Sequence, residues 1–95
     1  FHSFVLNLAS VDDPTALEMM LKSLIEQYDS LRIKGFLDRP GLPRREVFQA
    51  AGPRLQRYFD RPWRDGEMRS TKLVVIGLHD IDQAAIGEAI ADAVG

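Results

Sequence analysis

An apolar stripe at helical spacing in the first third of the chain limits the folds open to this sequence. Asp13 and Pro14 predict a helix over 14–28, because an Asp side chain can accept a bond from a free helix N–H and proline fits the first turn. One such stripe needs cover from another element, and within 95 residues a sheet is the economical cover. The apolar positions recur every three or four residues, at Leu17, Met20, Leu21, Leu24, Ile25 and Tyr28.

Three strand patterns supply material for that sheet. Residues 3–10 form a short apolar run, and residues 71–78 form a longer one that predicts an interior strand. Between them, residues 31–37 alternate, with an apolar set opposite a basic and aromatic set. The apolar set is Leu31, Ile33 and Leu37, and the opposite set is Arg32, Lys34 and Phe36. Gly35 falls on the apolar side, where it predicts close approach by a neighbouring element.

The remaining elements are a hairpin and a second helix. Weaker strand patterns at 47–51 and 55–59 flank Gly52 and Pro53, which predict the turn; the alternative for residues 54–59 is a helical turn. Residues 60–69 read as a polar loop. Asp80 followed by Gln83 predicts the start of the second helix through a capping box.

These elements predict one α+β domain over residues 1–95. Its order is about β-α-β-β-β-β-α, with a mainly antiparallel sheet of four to five strands and two helices packed on one face. The other face would carry Arg32, Lys34, Phe36 and the loop around Trp63. Because the chain opens at Phe1 on a strand pattern, without an initiator Met, we expect it to be a fragment of a longer protein.

The residues predict no catalytic or metal site. The sequence has no cysteine, which excludes disulfides and thiol nucleophiles and fits a cytoplasmic location. No P-loop string is present, and no serine lies in a nucleophile elbow. His79, Asp80 and Asp82 lie close together at a helix start, but capping explains Asp80 and a metal would need further ligands. No apolar run is long enough to span a membrane.

Charge is distributed in blocks of opposite sign. Residues 32–72 hold eleven basic against five acidic residues, whereas the segments 1–31 and 73–95 are both acidic. Such blocks indicate an oriented electrostatic surface or, equally, arginines that simply decorate loops and strand edges. Aromatic residues interleaved with the basic ones could contact nucleic acid, but the acidic net charge of −2 favours an acidic protein surface or a phosphate as partner.

Two strings resemble the signatures of one family. Arg32-Ile33-Lys34-Gly35 is similar to the Arg-x-Lys-Gly strand of the C-terminal domain of CobW-type P-loop GTPase metallochaperones. The string at 69–77, a basic lead into Leu-Val-Val-Ile-Gly, resembles the second signature of that family. The order of elements also agrees, so the resemblance covers nearly the whole chain, and loop 38–66 looks closest to the cobalamin-biosynthesis subgroup.

The resemblance implies a function for a longer protein. That protein would bind GTP, Mg²⁺ and a transition metal through an N-terminal domain, and it would handle cobalt for cobalamin biosynthesis. This chain would be its non-catalytic interaction and regulatory domain, without a cofactor of its own. Its partners would be the GTPase domain of the same polypeptide and a cobalt chelatase or other metal client.

We assign five residues to the interaction surface. They are Arg32, Lys34, Arg69, Lys72 and Trp63. An alternative is that the clustered Arg and Lys side chains bind a small anion such as a carboxylate-bearing tetrapyrrole or phosphate.

Overall fold

The computed structural model describes residues 2–28, 31–52, 54–77 and 80–94. Five strands and two helices occur in the predicted order, which confirms the α+β class. The elements are β1 His2–Leu8, α1 Thr15–Gln27, β2 Arg32–Leu37, β3 Arg44–Ala51, β4 Arg54–Pro62, β5 Thr71–Gly77 and α2 Gln83–Val94.

All five strands join one antiparallel sheet. Their spatial order is β1-β5-β2-β3-β4, so β2 lies in the middle and β1 and β4 form the edges. Helix α1 contacts β3, α2 contacts β1, and the helices contact each other. Both helices therefore cover the same face, as predicted. The fully buried core between the layers includes Leu17, Leu21, Ile33, Phe48, Leu73, Val75, Ile86 and Ile90.

Helix α1 begins close to the predicted position. Asp13 Oδ1 accepts bonds from the Thr15 backbone N–H at 3.0 Å and from the Thr15 hydroxyl at 2.7 Å. These bonds satisfy a free donor of the first turn and hold the pKa of the Asp13 carboxyl below its ordinary value. Pro14 precedes the first helical residue, where its missing N–H has no cost.

The start of α2 differs from the prediction. Asp82, and not Asp80, caps this helix: its Oδ1 accepts the Ala85 N–H at 3.0 Å and its carbonyl accepts the Ile86 N–H at 3.0 Å. Ile81 packs against the core, so the chain continues two residues beyond Asp80 before it turns into the helix. His79 lies outside the described residues.

The close approach predicted at Gly35 is present, and the neighbour is strand β5. A Cβ at this position would collide with the Lys72 carbonyl oxygen and would lie 2.8 Å from the Leu73 Cα. The absence of a side chain therefore allows β2 and β5 to pack at the centre of the sheet.

The hairpin of β3 and β4 is longer than predicted. Strand β4 continues to Pro62, so the first residues of the predicted polar loop belong to the sheet. The pairing of Glu46 with Phe59 and of Ala51 with Arg54 sets the register. Gly52 in the turn has a φ of 56°, which glycine adopts without strain; Pro53 lies outside the described residues.

Two positions on α1 test this packing. Leu24 is 5% exposed, so Leu24→Ala should lower the free energy of unfolding by roughly 2–5 kcal/mol. Lys22 is exposed, and its ion pair among the described residues is with Glu18, at 3.9 Å. Lys22→Ala should therefore change the free energy of unfolding by about 0.5 kcal/mol or less. Urea denaturation followed by circular dichroism measures both, and equal losses would contradict the orientation of α1.

Candidate functional site

The side of the sheet opposite the helices is a regular array of three rows with five residues each. Cross-strand pairing defines every row in the strand order β1, β5, β2, β3, β4, and we call these fifteen residues the open face. The first row is Ser3, Ile76, Arg32, Ala51 and Arg54. The second row is Val5, Val74, Lys34, Gln49 and Gln56. The third row is Asn7, Lys72, Phe36, Val47 and Tyr58.

The open face is cationic and contains no carboxylate. Its four charged residues are Arg32, Lys34, Arg54 and Lys72, all exposed. Within the described residues, none of the four has a carboxylate oxygen within 4.0 Å. The face thus presents positive charge for which the described residues supply no ion-pair partner.

Most acids of the basic segment 32–72 are already paired with other arginines. Asp38 pairs with Arg69 at 2.7 Å, and Asp60 pairs with Arg45 at 2.8 Å. Neither pair includes one of the four open-face cations.

Glu46 and Glu67 are paired with arginines as well. Glu46 lies 2.7 Å from Arg39 and 3.5 Å from Arg57, and Glu67 lies 2.8 Å from Arg61. The Arg61 guanidinium and the Arg64 backbone N–H lower the pKa of Glu67 to about 2. In the described part of the segment, the cations without an ion pair are therefore the four of the open face together with Arg44 and Arg64.

A cleft of about 330 Å³ opens at one corner of this face. Ala51 lies between Arg32 and Arg54 in the first row, and its methyl group leaves a depression between two long side chains. In the second row, Lys34, Gln49 and Gln56 continue the wall of the cleft. Three cations and two amides thus surround a floor made by one small residue.

The aromatic end of the face is covered. The Phe36 ring meets the Trp63 ring edge-on, with centroids 5.8 Å apart, and the Arg45 guanidinium lies 4.6 Å from the Phe36 centroid. The Arg69 guanidinium lies 5.5 Å from the Trp63 centroid. Each ring thus has a guanidinium over it, which leaves less of its surface for a nucleotide base to stack on.

The structure separates the five residues assigned from the sequence into two groups. Arg32, Lys34 and Lys72 project from the open face. Arg69 instead bonds to Asp38 and donates to the carbonyls of Arg39 and Leu42, both at 2.8 Å. Arg69 and Trp63 therefore fasten the loops at the end of the sheet, and their part in an interaction surface stays a prediction.

Sequence reasoning missed the residues that complete the cleft. Arg54, Gln49, Gln56 and Ala51 belong to the hairpin, where only the alternation of the two weak strands signalled which side chains share a face. That alternation would have placed residues 49 and 51 opposite the buried Phe48.

The described residues contain no metal centre. No group of three or more His, Asp or Glu side chains among them could hold an ion. His2 Nε2 lies 3.0 Å from Asp80 Oδ1, and this exposed pair supplies only two ligands. None of the described helices has the length and apolarity that a membrane span requires.

Comparisons with known proteins define the class. A family model described as cobalamin synthesis protein cobW C-terminal domain matches residues 1–94. A zinc chaperone CobW from Sinorhizobium sp is 53% identical over 90 residues, which are 95% of this chain and 25% of that protein. A zinc chaperone CobW from Pseudomonas aeruginosa is 47% identical over 91 residues, which are 96% of this chain and 24% of that protein.

Solved structures share the fold. The Zn(II)-bound YjiA GTPase from E. coli matches 96% of this chain and 29% of its own, with a TM-score of 0.70 and 29% identity. A Zn(II)-bound triple mutant of YjiA GTPase matches with a TM-score of 0.72 and 28% identity. The chain belongs to the CobW C-terminal domain family, and it spans about a quarter of the length of the curated relatives it matches.

Two cations that are three residues apart in sequence, Arg69 and Lys72, should respond differently to truncation. Arg69→Ala removes charge-assisted bonds to three partners, so it should lower the unfolding free energy by roughly 1–2 kcal/mol after allowance for solvent exposure. It should also change the fluorescence of Trp63. Lys72→Ala should change the unfolding free energy by about 0.5 kcal/mol or less and should leave the fluorescence of Trp63 nearly unchanged. If Arg69→Ala left the unfolding free energy unchanged, Arg69 would not be fastening the loops.

Metal removal should leave the fold intact. Because packed apolar side chains form the core, chelator treatment of the 95-residue chain should not move its thermal transition. Calorimetry with and without a chelator measures this. A large drop in the midpoint would indicate that metal ligands support the fold.

Proposed function

We propose that this chain is the non-catalytic interaction and regulatory domain of a CobW-type metallochaperone GTPase and that it docks through its open face. The observation that carries the proposal is the positive charge of four residues on the side of the sheet that the helices leave bare, where the described part of the chain offers them no carboxylate within 4.0 Å. The four are Arg32, Lys34, Arg54 and Lys72. The partner we propose is the N-terminal GTPase domain of the same polypeptide.

Physical reasons favour a protein partner. Apolar residues lie beside the cations on the open face, including Val74, Ile76 and Val5, of which Val5 is 52% exposed. Protein interfaces combine such apolar areas with complementary charge, which fixes register and partner choice. GTP, Mg²⁺ and a transition metal would be bound by the longer protein, and this chain would affect their use through domain contact.

Zinc is the cargo we propose for that protein. Both curated relatives are zinc chaperones, and the YjiA structures hold Zn(II). Cobalt handling for cobalamin biosynthesis, a cobalt chelatase or other client as partner, and a cytoplasmic location stay predictions from the sequence.

A second candidate is the binding of a small anion, and the cleft favours it. Guanidinium groups recognise carboxylate and phosphate oxygens through paired donors. Arg32 and Arg54 flank a cavity large enough for one such group. A tetrapyrrole precursor with several carboxylates, or a phosphate, would satisfy this chemistry.

Charge reversal tests the docking proposal. In the longer protein, Arg32→Glu with Lys34→Glu should weaken the contact between domains and alter GTP turnover or zinc transfer. The unfolding free energy of the isolated chain should change little, because both positions are exposed. The matched control is Arg44→Glu with Arg64→Glu, which makes the same change in charge away from the open face.

The salt dependence of docking provides a further check. Exposed charges are screened over about 8–10 Å at physiological ionic strength, so the wild-type contact should weaken as salt rises and that of the reversed variant should not. Small-angle scattering and GTP turnover across a salt series measure the contact. If the reversed variant and its control behave alike, the open face is not the docking surface. If the reversal unfolds the isolated chain, the two residues support the fold instead.

A further inference from the structure

We infer that the partner reaches the open face with a segment that carries both a carboxylate and an apolar side chain, and that this carboxylate lies over Ala51 between Arg32 and Arg54. The inference rests on the proposed docking of the GTPase domain and specifies the chemistry of the segment that domain contributes. It assigns the central contact to Arg54 and Ala51, which lie in the hairpin and outside both signature strings.

The spacing of the first row suits one carboxylate. Arg32 and Arg54 belong to strands on either side of β3, so their backbones are separated by two strand spacings, about 10 Å. Each guanidinium can extend over the intervening strand toward the other. A carboxylate has two oxygens and accepts donors from both sides, whereas the methyl group of Ala51 neither competes for it nor fills the space.

The second row supports the same ligand. Lys34 carries three donors next to Arg32 on the same strand, and Gln56 offers an amide next to Arg54. The amide nitrogen of Gln49 donates to the Tyr58 hydroxyl at 3.4 Å, which orients that amide along the wall of the cleft. A bound carboxylate would thus meet three positive charges, with no carboxylate of the open face to oppose it.

The first two rows also explain why the segment needs an apolar side chain. Next to Arg32 lies Ile76, and next to Lys34 lies Val74, which pairs in turn with the exposed Val5. Both rows are therefore apolar at β5 and cationic at β2; Val5 extends the apolar area onto β1, and Arg54 extends the cationic area onto β4. A segment that crosses the strands can place one side chain on each area, which a free phosphate or a uniform polyanion cannot do.

Nucleic acid fits this face less well. Arg45 lies over the Phe36 ring and Arg69 over the Trp63 ring, so within the open face Tyr58, 45% exposed, is the one ring left for a base to stack on. The segments outside 32–72 are acidic and would repel a long polyanion that extends past the open face. A short acidic protein segment needs only the local charge.

Arginine footprinting tests the contact directly. Phenylglyoxal modification, read by mass spectrometry, should be roughly tenfold slower at Arg32 and Arg54 in the longer protein than in the 95-residue chain, since a paired and covered guanidinium reacts only when the contact opens. Arg44 and Arg64 serve as internal controls and should react at equal rates in both.

Ala51→Leu isolates the role of the cleft. The variant keeps all four cations but fills the floor, so in the longer protein it should restore the reactivity of Arg32 and Arg54 to that of the isolated chain. Asn7→Leu introduces the same leucine side chain in the third row, at the edge strand and away from the cleft, and should leave the protection intact. If Ala51→Leu does not fold, Arg54→Gln replaces it and should restore reactivity at Arg32.

The outcomes separate this inference from the docking proposal. Protection of Lys34 and Lys72 from acetylation without protection of Arg32 and Arg54 would overturn the inference and leave docking in place. No protection at any open-face residue would overturn both. Protection that survives Ala51→Leu would also overturn the inference. If inorganic phosphate or an oligonucleotide protects the two arginines equally well in the isolated chain, the cleft takes a small anion or nucleic acid and not an acidic segment.

Discussion

Leu31, Ile33 and Leu37 are at most 1% exposed, while Arg32 and Lys34 between them face solvent. This alternation occurs in β2, the middle strand of the five, so the register of its neighbours depends on it. A shift of one residue would carry both cations into the core, where an unpaired charge is costly. The division of the sheet into a covered side and an open face thus follows from the register of one strand.

A buried carboxylate, Glu46, holds two of the arginines in ion pairs on the helix-covered side of the sheet. Glu46 is only 3% exposed and lies on the covered side of β3, where it pairs with Arg39 at 2.7 Å and approaches Arg57 at 3.5 Å. Arg57 also reaches Glu18 of α1 at 3.6 Å. This network links the hairpin to the helix and supplies an ion-pair partner to both guanidiniums. Removal of Glu46 alone would leave the partly buried Arg39 without its ion-pair partner, which should destabilise the fold.

Local patterns in the sequence predicted most of the fold, and contacts between distant segments account for what they missed. The apolar stripe that includes Leu17 and the alternation around Ile33 reflect which side chains are buried. The helices, the middle strand and the side of the sheet that carries Arg32 were therefore predictable. The cleft was not, because it depends on the pairing of Ala51 with Arg54 across a turn and with Arg32 on another strand. The bonds of Arg69 to the loop after β2 are equally long-range and leave no local periodicity.

The open face and the helix layer carry charges of opposite sign. The two helices contain Glu18, Glu26, Glu88 and Asp92 against Lys22 alone, whereas the charged residues of the open face are all cations. Such a domain has a permanent electric dipole roughly normal to its sheet. In the field of a charged partner the dipole exerts a torque, so the domain rotates into the productive orientation while the two bodies are still diffusing together. When the two parts are tethered in one polypeptide, this alignment shortens the search and sets how quickly they separate and meet again.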